Sequence, residues 1–383
     1  MSRPRVLIDL VPIRPGKGGT GSGVWTHALR LVQELDKSDA STQLDIRVLI
    51  NPEQRAHFAT LKNVRKHRFG GTEGSAVLRL LWIHFALPLV CLWFRAKALH
   101  KVATETPLWC PARRITTVHD FFGEVMHESG VGRQGLSDRY FAWITRICFA
   151  RSKAIITVSE AVKEEARKRF PGSPANITAI HNGADLPERM KREPRVDEDL
   201  HRLILCVAKL MPYKGQMEAI EALESLYALH PEWKRRAKLI LHGFNNDEEY
   251  FQALNARMVQ GKVRGCVGIR GYGHYSLAEI YEGADIFLFL TRYEGFGLPV
   301  VESQALGIPV ICSDIPVLRE VGGNGAIYVD RSDPDAIAAQ LHALMSDEDM
   351  RATLVRNGTA NVQRFSWRTM AERTAQVYRE VCA

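Results

Sequence analysis

The chain has 383 residues, 46% of them hydrophobic and 25% charged. That composition suits a globular protein able to bury the cores of two domains, and it excludes a disordered or low-complexity chain. Seven scattered cysteines form no C-x-x-C pair and sit at no zinc-ligand spacing; they read as reduced core thiols of a cytosolic protein.

Net charge is +8 and uneven. Residues 1–190 carry 28 Lys/Arg against 17 Asp/Glu, and the remainder 23 against 26. A basic N-terminal half either faces an anionic partner (lipid head groups, pyrophosphate, nucleic acid) or is a solvated mixed surface. Basic runs interleaved with aromatics are missing, as are the standard nucleic-acid motifs, so no nucleic-acid partner is expected.

The N-terminus lacks a long apolar core and a cleavage site, and reads as a first strand, Val6–Leu10, rather than a targeting peptide. The loop to Ser22 holds KGGTGSG, and a helix over Val24–Leu35 follows. Strand, glycine loop and helix form a phosphate cradle, although this loop matches neither a Walker motif nor G-x-G-x-x-G and also suits a plain turn. Leu44–Ile50 is a second strand. Residues 76–99 read as helical with a break at Pro88. The apolar run Leu80–Phe94 falls short of the ~20 residues of a membrane span, which leaves a buried or membrane-facing helix.

Strand Ile115–Val118 delivers His119 at its C-terminal end, where a histidine is either structural, a pH-sensitive group or a hydrogen-bond donor to a ligand. Helix Asp138–Ala150, strand Ala154–Val158, a helix Glu160–Arg169 capped by Ser159, and strand Asn176–Ile180 complete the first half. Residues 186–199 are polar and aperiodic, and read as a domain linker.

The second half repeats the alternation. Strand Leu203–Ala208 leads into the loop KLMPYKG, with Lys209 and Lys214, then helix Gln216–Leu229. Strands over 238–243 and 266–270 and helices over 247–258 and 276–283 precede DIFLFLTRYEGFGLPVVESQALGIPVIC, residues 285–312. This stretch reads as strand Ile286–Leu290, a loop with Glu294, Gly295 and Gly297, a helix with Pro299 first, and strand Pro309–Cys312. A last strand over 325–329 and three helices, the third from Phe365, end the chain. Alternating strands and helices predict two open parallel sheets, with a cleft between the domains as the ligand location.

Ligands of such sheets bind at the C-terminal strand ends, where helix N-termini attract anions. Lys209, Lys214 and the helix start near Pro299 therefore form a candidate diphosphate site. Carboxylates accept hydrogen bonds from vicinal hydroxyls, so Glu294 and Glu302 are candidates to hold ribose or hexose.

E-G-F-G-L-P-V-V-E resembles the E-x7-E motif of the family 4 retaining glycosyltransferases of the GT-B fold. GSGVWTHALRL, RLLWIHFALPLV, TTVHD, IITVSEAVKEE, HNGAD, VAKLMPYKG, LAEIYEGADIFLFL and SWRTMAERTAQVY follow the family's order of segments. The resemblance implies an α/β chain of two Rossmann-like, doubly wound domains facing across a cleft: an acceptor domain over 1–190, a nucleotide-sugar domain over 191–364, and a helix over 365–383 crossing back, with Trp367 packing at the crossing. Glu294 would hold the donor sugar with the backbone of Gly295, Phe296 and Gly297, and His119 would lie beside the reacting centre. Lys209, Lys214, Leu298, Gly21 and Gly23 would face the diphosphate, and Glu302 the ribose. The family's usual Arg and Gly are replaced here by Lys209 and Ala208.

The implied reaction moves a hexose from a nucleotide diphosphate sugar to a hydroxyl, with retention and with no metal or other cofactor. A mannosyl- or rhamnosyltransferase-like texture favours a GDP-sugar donor, with a UDP-sugar, a phosphorylase or an epimerase as alternatives. The acceptor implied is a glycan or lipid-linked glycan of bacterial surface polysaccharide. An anionic membrane surface would contact the N-terminal domain, giving a cytoplasmic protein peripheral on the inner face of the membrane.

Overall fold

The computed structural model describes residues 3–15, 23–70, 72, 74–128, 135–184, 202–234, 236–260, 262–271 and 277–383. Gly21 and the linker expected over 186–199 lie outside them. The chain divides into two compact units, Met1–Gly183 with Phe365–Ala383, and Ala184–Arg364.

The first unit is built on seven parallel strands: β1 (Arg5–Asp9), β2 (Asp45–Ile50), β3 (Arg65–Arg68), β4 (Ala98–Lys101), β5 (Arg113–Val118), β6 (Ala154–Thr157) and β7 (Asn176–Ala179). Their order is β3-β2-β1-β4-β5-β6-β7. β1 lies inside the sheet, with Val6 opposite both Ile46 and Ala98. Leu7, Ile8, Leu49 and Leu99 are fully buried. Near-continuous apolar strands are what a sheet covered on both faces requires.

Two of these strands escape sequence reading. β3 is RKHR, an edge strand with three exposed residues, and charge on an edge hides it from a search for apolar runs. β4 is ALHK, and its buried His100 and Lys101 interrupt the apolar signal. The helix expected to reach residue 99 therefore stops at Trp93, and β4 follows.

The expected break at Pro88 is also absent. Ala76–Leu81 is α-helical, Trp82–Ala86 is a π turn, and Leu87–Trp93 continues as α-helix. A proline normally clashes with the carbonyl four residues back. The widened turn shifts the carbonyl ladder just before Pro88 and absorbs the defect.

The last helix, Trp367–Cys382, packs in the first unit, where it lies against helix Gly23–Lys37. Met370, Ala371, Ala375, Tyr378 and Val381 form its buried stripe. Trp367 covers Gly183 so closely that a Cβ there would lie 2.5 Å from the indole Cγ. Tyr378 Oη and His100 Nδ1 are 2.6 Å apart within the core, and the other ring nitrogen of His100 meets Thr117 Oγ1 at 2.8 Å.

The second unit has six parallel strands: β8 (Arg202–Val207), β9 (Ala237–His242), β10 (Val267–Arg270), β11 (Ile286–Phe289), β12 (Val310–Ser313) and β13 (Ala326–Val329). Their order is β10-β9-β8-β11-β12-β13. Leu223, Leu226, Leu239, Leu241, Leu288 and Leu341 share its core. In each unit the order reverses beside the first strand, between β1 and β4 and between β8 and β11. Loops leaving the two sides of such a reversal diverge and open a crevice at the C-terminal strand ends.

Replacing Tyr378 by Phe should leave a buried ring nitrogen of His100 unpaired and cost the first unit about 1–3 kcal/mol. A lowered melting transition for that unit, with the other unchanged, is the expected calorimetric result.

Candidate functional site

The crevice of the second unit receives two loops. One follows β8 and carries Lys209 and Lys214; the other follows β11 and carries Glu294. They lie far apart in sequence, and strand pairing makes them neighbours: Ile204 and Leu205 of β8 pair with Ile286 and Phe287 of β11.

The loops are joined backbone to backbone. Arg292 N donates to Tyr213 O at 2.7 Å. Gly215 has φ +78°, and a Cβ there would overlap the Leu290 carbonyl. Only glycine permits both the conformation and the approach. Lys214 Nζ donates to Glu294 Oε1, forming an ion pair largely screened from water. The ammonium also sits 4.6 Å from the Tyr213 ring centroid and 5.9 Å from that of Phe289, an aromatic floor that favours a cation. Lys209 is half-buried on the same loop, and its carbonyl accepts from Gln216 Nε2 at 2.8 Å.

After Glu294 the chain turns through Gly295 and Phe296 to Gly297, whose φ of +92° starts helix Leu298–Ala305. A Cβ on Gly297 would lie 2.7 Å from Leu318 Cδ2. Phe296 is buried, so its ring anchors the loop and its backbone alone can serve a ligand. The helix begins at Leu298, and Pro299 is its second residue rather than its first. Glu302 consequently sits one residue further into the helix than the sequence suggests. Tyr281 Oη donates to Glu302 Oε2 at 2.8 Å and orients the carboxylate. Tyr281 is fully buried. Sequence reading passed over it, since a single tyrosine in a short helix before a strand looks like ordinary core.

The chemistry of this crevice is that of a polyol phosphate site. It offers two lysines, two oriented carboxylates and the positive end of a helix that starts at Leu298.

In the first unit, His119 follows β5. Its Nε2 lies 2.9 Å from Val102 O, and a carbonyl only accepts, so Nε2 carries the proton. The remaining Nδ1 is an acceptor, which corrects the expectation of a donor to the ligand. Burial holds His119 down at about 4, against a partly offsetting bond to Val102. It is neutral near pH 7 and is no switch there.

His27 packs edge-on against His119 with ring centroids 4.9 Å apart. Burial, then its neighbour His119, lowers His27 to about 3, and its Nδ1 bonds Asn182 Oδ1 at 2.7 Å. His100 is likewise pushed well below 6.5, chiefly by burial. Neither histidine was singled out from sequence, because each sits singly within a helix or strand. Gly23 is exposed at the start of its helix.

Among the described residues, one cluster has metal-ligand types within reach of one another: His230, Glu232 and His342. His230 and Glu232 follow the C-terminus of helix Gln216–Leu229, and His342 lies on helix Pro334–Ser346. The two imidazoles stack with centroids 3.6 Å apart and planes 3° from parallel. In-plane lone pairs on stacked rings run side by side and do not converge on one ion, and Trp233 Nε1 already approaches His342 Nδ1 at 3.0 Å. The arrangement fits packing better than ligation.

Fold and crevice define a two-unit α/β protein with its candidate site at the C-terminal ends of parallel strands. Residues 21–188 match the family model Glycosyltransferase Family 4, and residues 188–361 match Glycosyl transferases group 1. The chain belongs to the glycosyltransferases that these two models describe, and its fold is GT-B.

Among its relatives is O-antigen chain mannosyltransferase B of Escherichia coli, 30% identical over 234 residues, which are 60% of this chain and 61% of the relative. The chain thus matches about three-fifths of that relative's length. O-antigen chain mannosyltransferase RfbU of Salmonella typhimurium is 24% identical over 323 residues, 82% of this chain and 85% of that one. Among solved structures, WaaG, a glycosyltransferase involved in lipopolysaccharide biosynthesis, superposes with a TM-score of 0.72 at 16% identity, covering 97% and 99% of the two chains.

His27, buried, and His119, half-buried, make the first unit acid-sensitive. A free histidine titrates near 6.5, whereas His27 and His119 in the folded chain titrate at about 3 and about 4. The unfolded chain binds more protons in that window, so stability is complete above about pH 6.5 and falls as pH drops toward 4. Each such histidine contributes a slope of about 1.4 kcal/mol per pH unit. The melting temperature of the first unit should decline over that range, and less steeply in His27→Gln.

Proposed function

We propose that this protein is a retaining hexosyltransferase. It transfers a sugar, GDP-mannose or a GDP-deoxyhexose being the favoured donor, to a hydroxyl of a growing, lipid-linked surface polysaccharide. The observation that carries the reading is the Lys214–Glu294 pair at the strand-order reversal of the second unit. It puts a cation suited to a diphosphate beside a carboxylate suited to sugar hydroxyls. Two relatives named as O-antigen chain mannosyltransferases support the choice of sugar and pathway class.

In this reading Glu294, with the backbone of Gly295, Phe296 and Gly297, holds the hexose. Lys209, Lys214 and the helix start at Leu298 neutralise the leaving diphosphate, the task a metal performs in other transferases. Glu302, held by Tyr281, takes the ribose hydroxyls. The acceptor hydroxyl attacks on the face the diphosphate leaves, and the departing phosphate oxygen takes its proton. The anomeric C–O bond to phosphate breaks as the new glycosidic bond forms, with configuration retained and no metal required.

Glu294→Gln keeps the size and a hydrogen-bonding end but removes the charge. It should lower turnover by about 100-fold or more, with nucleotide affinity unchanged or increased, because Lys214 is then released to the diphosphate. Turnover at the wild-type level would refute the role of Glu294. Thermal shift with GDP, UDP, ADP and dTDP identifies the donor: a selective rise with GDP is expected, and one with UDP would replace the GDP assignment.

A further inference from the structure

The helix over Ala76–Trp93 is 18 residues long, with a mean hydropathy of 1.9 and only 33% of it buried. Length and composition alone would let it cross a membrane. Its packing assigns it elsewhere. Trp82, Ile83, Leu87 and Val90 share a core cluster with Leu7, Leu49 and Leu99 of β1, β2 and β4. The Trp82 indole N–H also donates to Asp9 Oδ1 at 3.2 Å, at the tip of β1. Moving this helix into a bilayer would strip one face of the sheet.

The outer face is the unusual one. Val77, Leu81, Phe85, Leu89 and Trp93 are exposed by 64%, 48%, 66%, 61% and 74%. On an ideal α-helix, residues spaced by four drift about 40° per step, so this series would wind through about 160°. The π turn at Trp82–Ala86 is wider and reverses part of that drift, which keeps the five side chains on one face. Helix Leu136–Arg151 extends the patch with Phe141 and Trp143, exposed by 38% and 46%. It is held alongside by His84 and Tyr140, 2.9 Å apart, and by Arg79 stacked 5.5 Å from the Phe141 ring. Exposed apolar faces of this extent mark a docking surface.

Charge says what docks. Residues 76–97 contain Arg79, Arg95 and Lys97 and no Asp or Glu. Arg95 and Lys97 are exposed just past Trp93, and Arg139 and Arg146 are exposed on the neighbouring helix. An apolar stripe with tryptophans at its margin and a cationic rim is complementary to an anionic lipid surface. A second copy of the chain would set the same basic rim against itself across a two-fold contact, which like charge disfavours.

We propose that this face docks in the plane of an anionic phospholipid bilayer. The Val77–Trp93 stripe enters the boundary between head groups and acyl chains, and Arg95 and Lys97 meet lipid phosphates. The surface stands independently of the transfer reaction, and binding is read with no nucleotide or acceptor present.

The test is co-sedimentation of the full chain with vesicles of phosphatidylcholine alone or mixed with phosphatidylglycerol. Wild type should bind the phosphatidylglycerol vesicles, and added salt should weaken that binding. Phe85→Ser/Leu89→Ser should reduce the partition by about tenfold or more, and Arg95→Glu/Lys97→Glu should do so on anionic vesicles only. Both variants should keep the wild-type melting curve, since these side chains are exposed. Absence of binding to anionic vesicles, or equal binding by wild type and both variants, would overturn the proposal. So would a wild-type dimer in analytical ultracentrifugation that Phe85→Ser/Leu89→Ser converts to monomer.

Discussion

The ion pair between Lys214 and Glu294 is the contact on which the candidate site depends. It exists because strand order in the second unit reverses between β8 and β11, so that two loops distant in sequence leave neighbouring strand tips. Side chains exposed by 11% and 17% keep both charges largely out of water. Removing either partner strands the other in a poorly solvated place. The first unit repeats the device at its own reversal. There Lys101 at the end of β4 donates to Asp9 at the end of β1, with the pair fully enclosed. One pair is sealed and braces the sheet; the other lies in the loops and can be shared with a ligand.

Backbone proximity makes the loop pair geometrically strict. Gly215 lies against the Leu290 carbonyl, and Gly243 lies so near the Ala208 carbonyl that a Cβ would overlap it. Tyr250 adds a second restraint: its hydroxyl accepts from Met217 N at 3.0 Å and lies 3.3 Å from Gln216 Oε1, while Gln216 holds the Lys209 carbonyl. A lysine ends a long flexible stem that costs entropy to fix. Here the aromatic rings of Tyr213 and Phe289 and the carboxylate of Glu294 confine Lys214 from several sides.

In the first unit the same economy of contacts ties a surface to the strand tips. Trp82 belongs to the helix that carries the exposed apolar stripe, and its indole reaches Asp9, the partner of Lys101. Any load on that helix is therefore felt where β1 and β4 end. The last helix braces the other side of the same strand through Tyr378 and His100. Folding the chain terminus back onto the unit built by the chain's beginning makes the unit discontinuous in sequence and cooperative in structure.

Local pattern in the sequence determined much of this protein. Alternating apolar runs and amphipathic stretches specify parallel sheets; the start of helix Glu160–Arg169 follows from its Ser159 cap, and helix Gln216–Leu229 has the bounds expected from sequence. Lys214 and Glu294 were legible because glycine and proline mark their two loops as turns at strand ends, and Glu302 because it follows Glu294 by eight residues on the helix that the second loop starts. Where pattern was weak or misleading, reading failed: the charged edge strand β3, the polar-ended β4 and the uninterrupted helix through Pro88 are of this kind. Tertiary structure alone decided that Lys214 meets Glu294, that Tyr281 orients Glu302, that His119 presents an acceptor, and that His27 sits beside it. The physical reason is the same in each case. Periodicity, capping and turn chemistry act over a few residues, whereas these pairings arise from strand order and burial, which no short stretch of sequence contains.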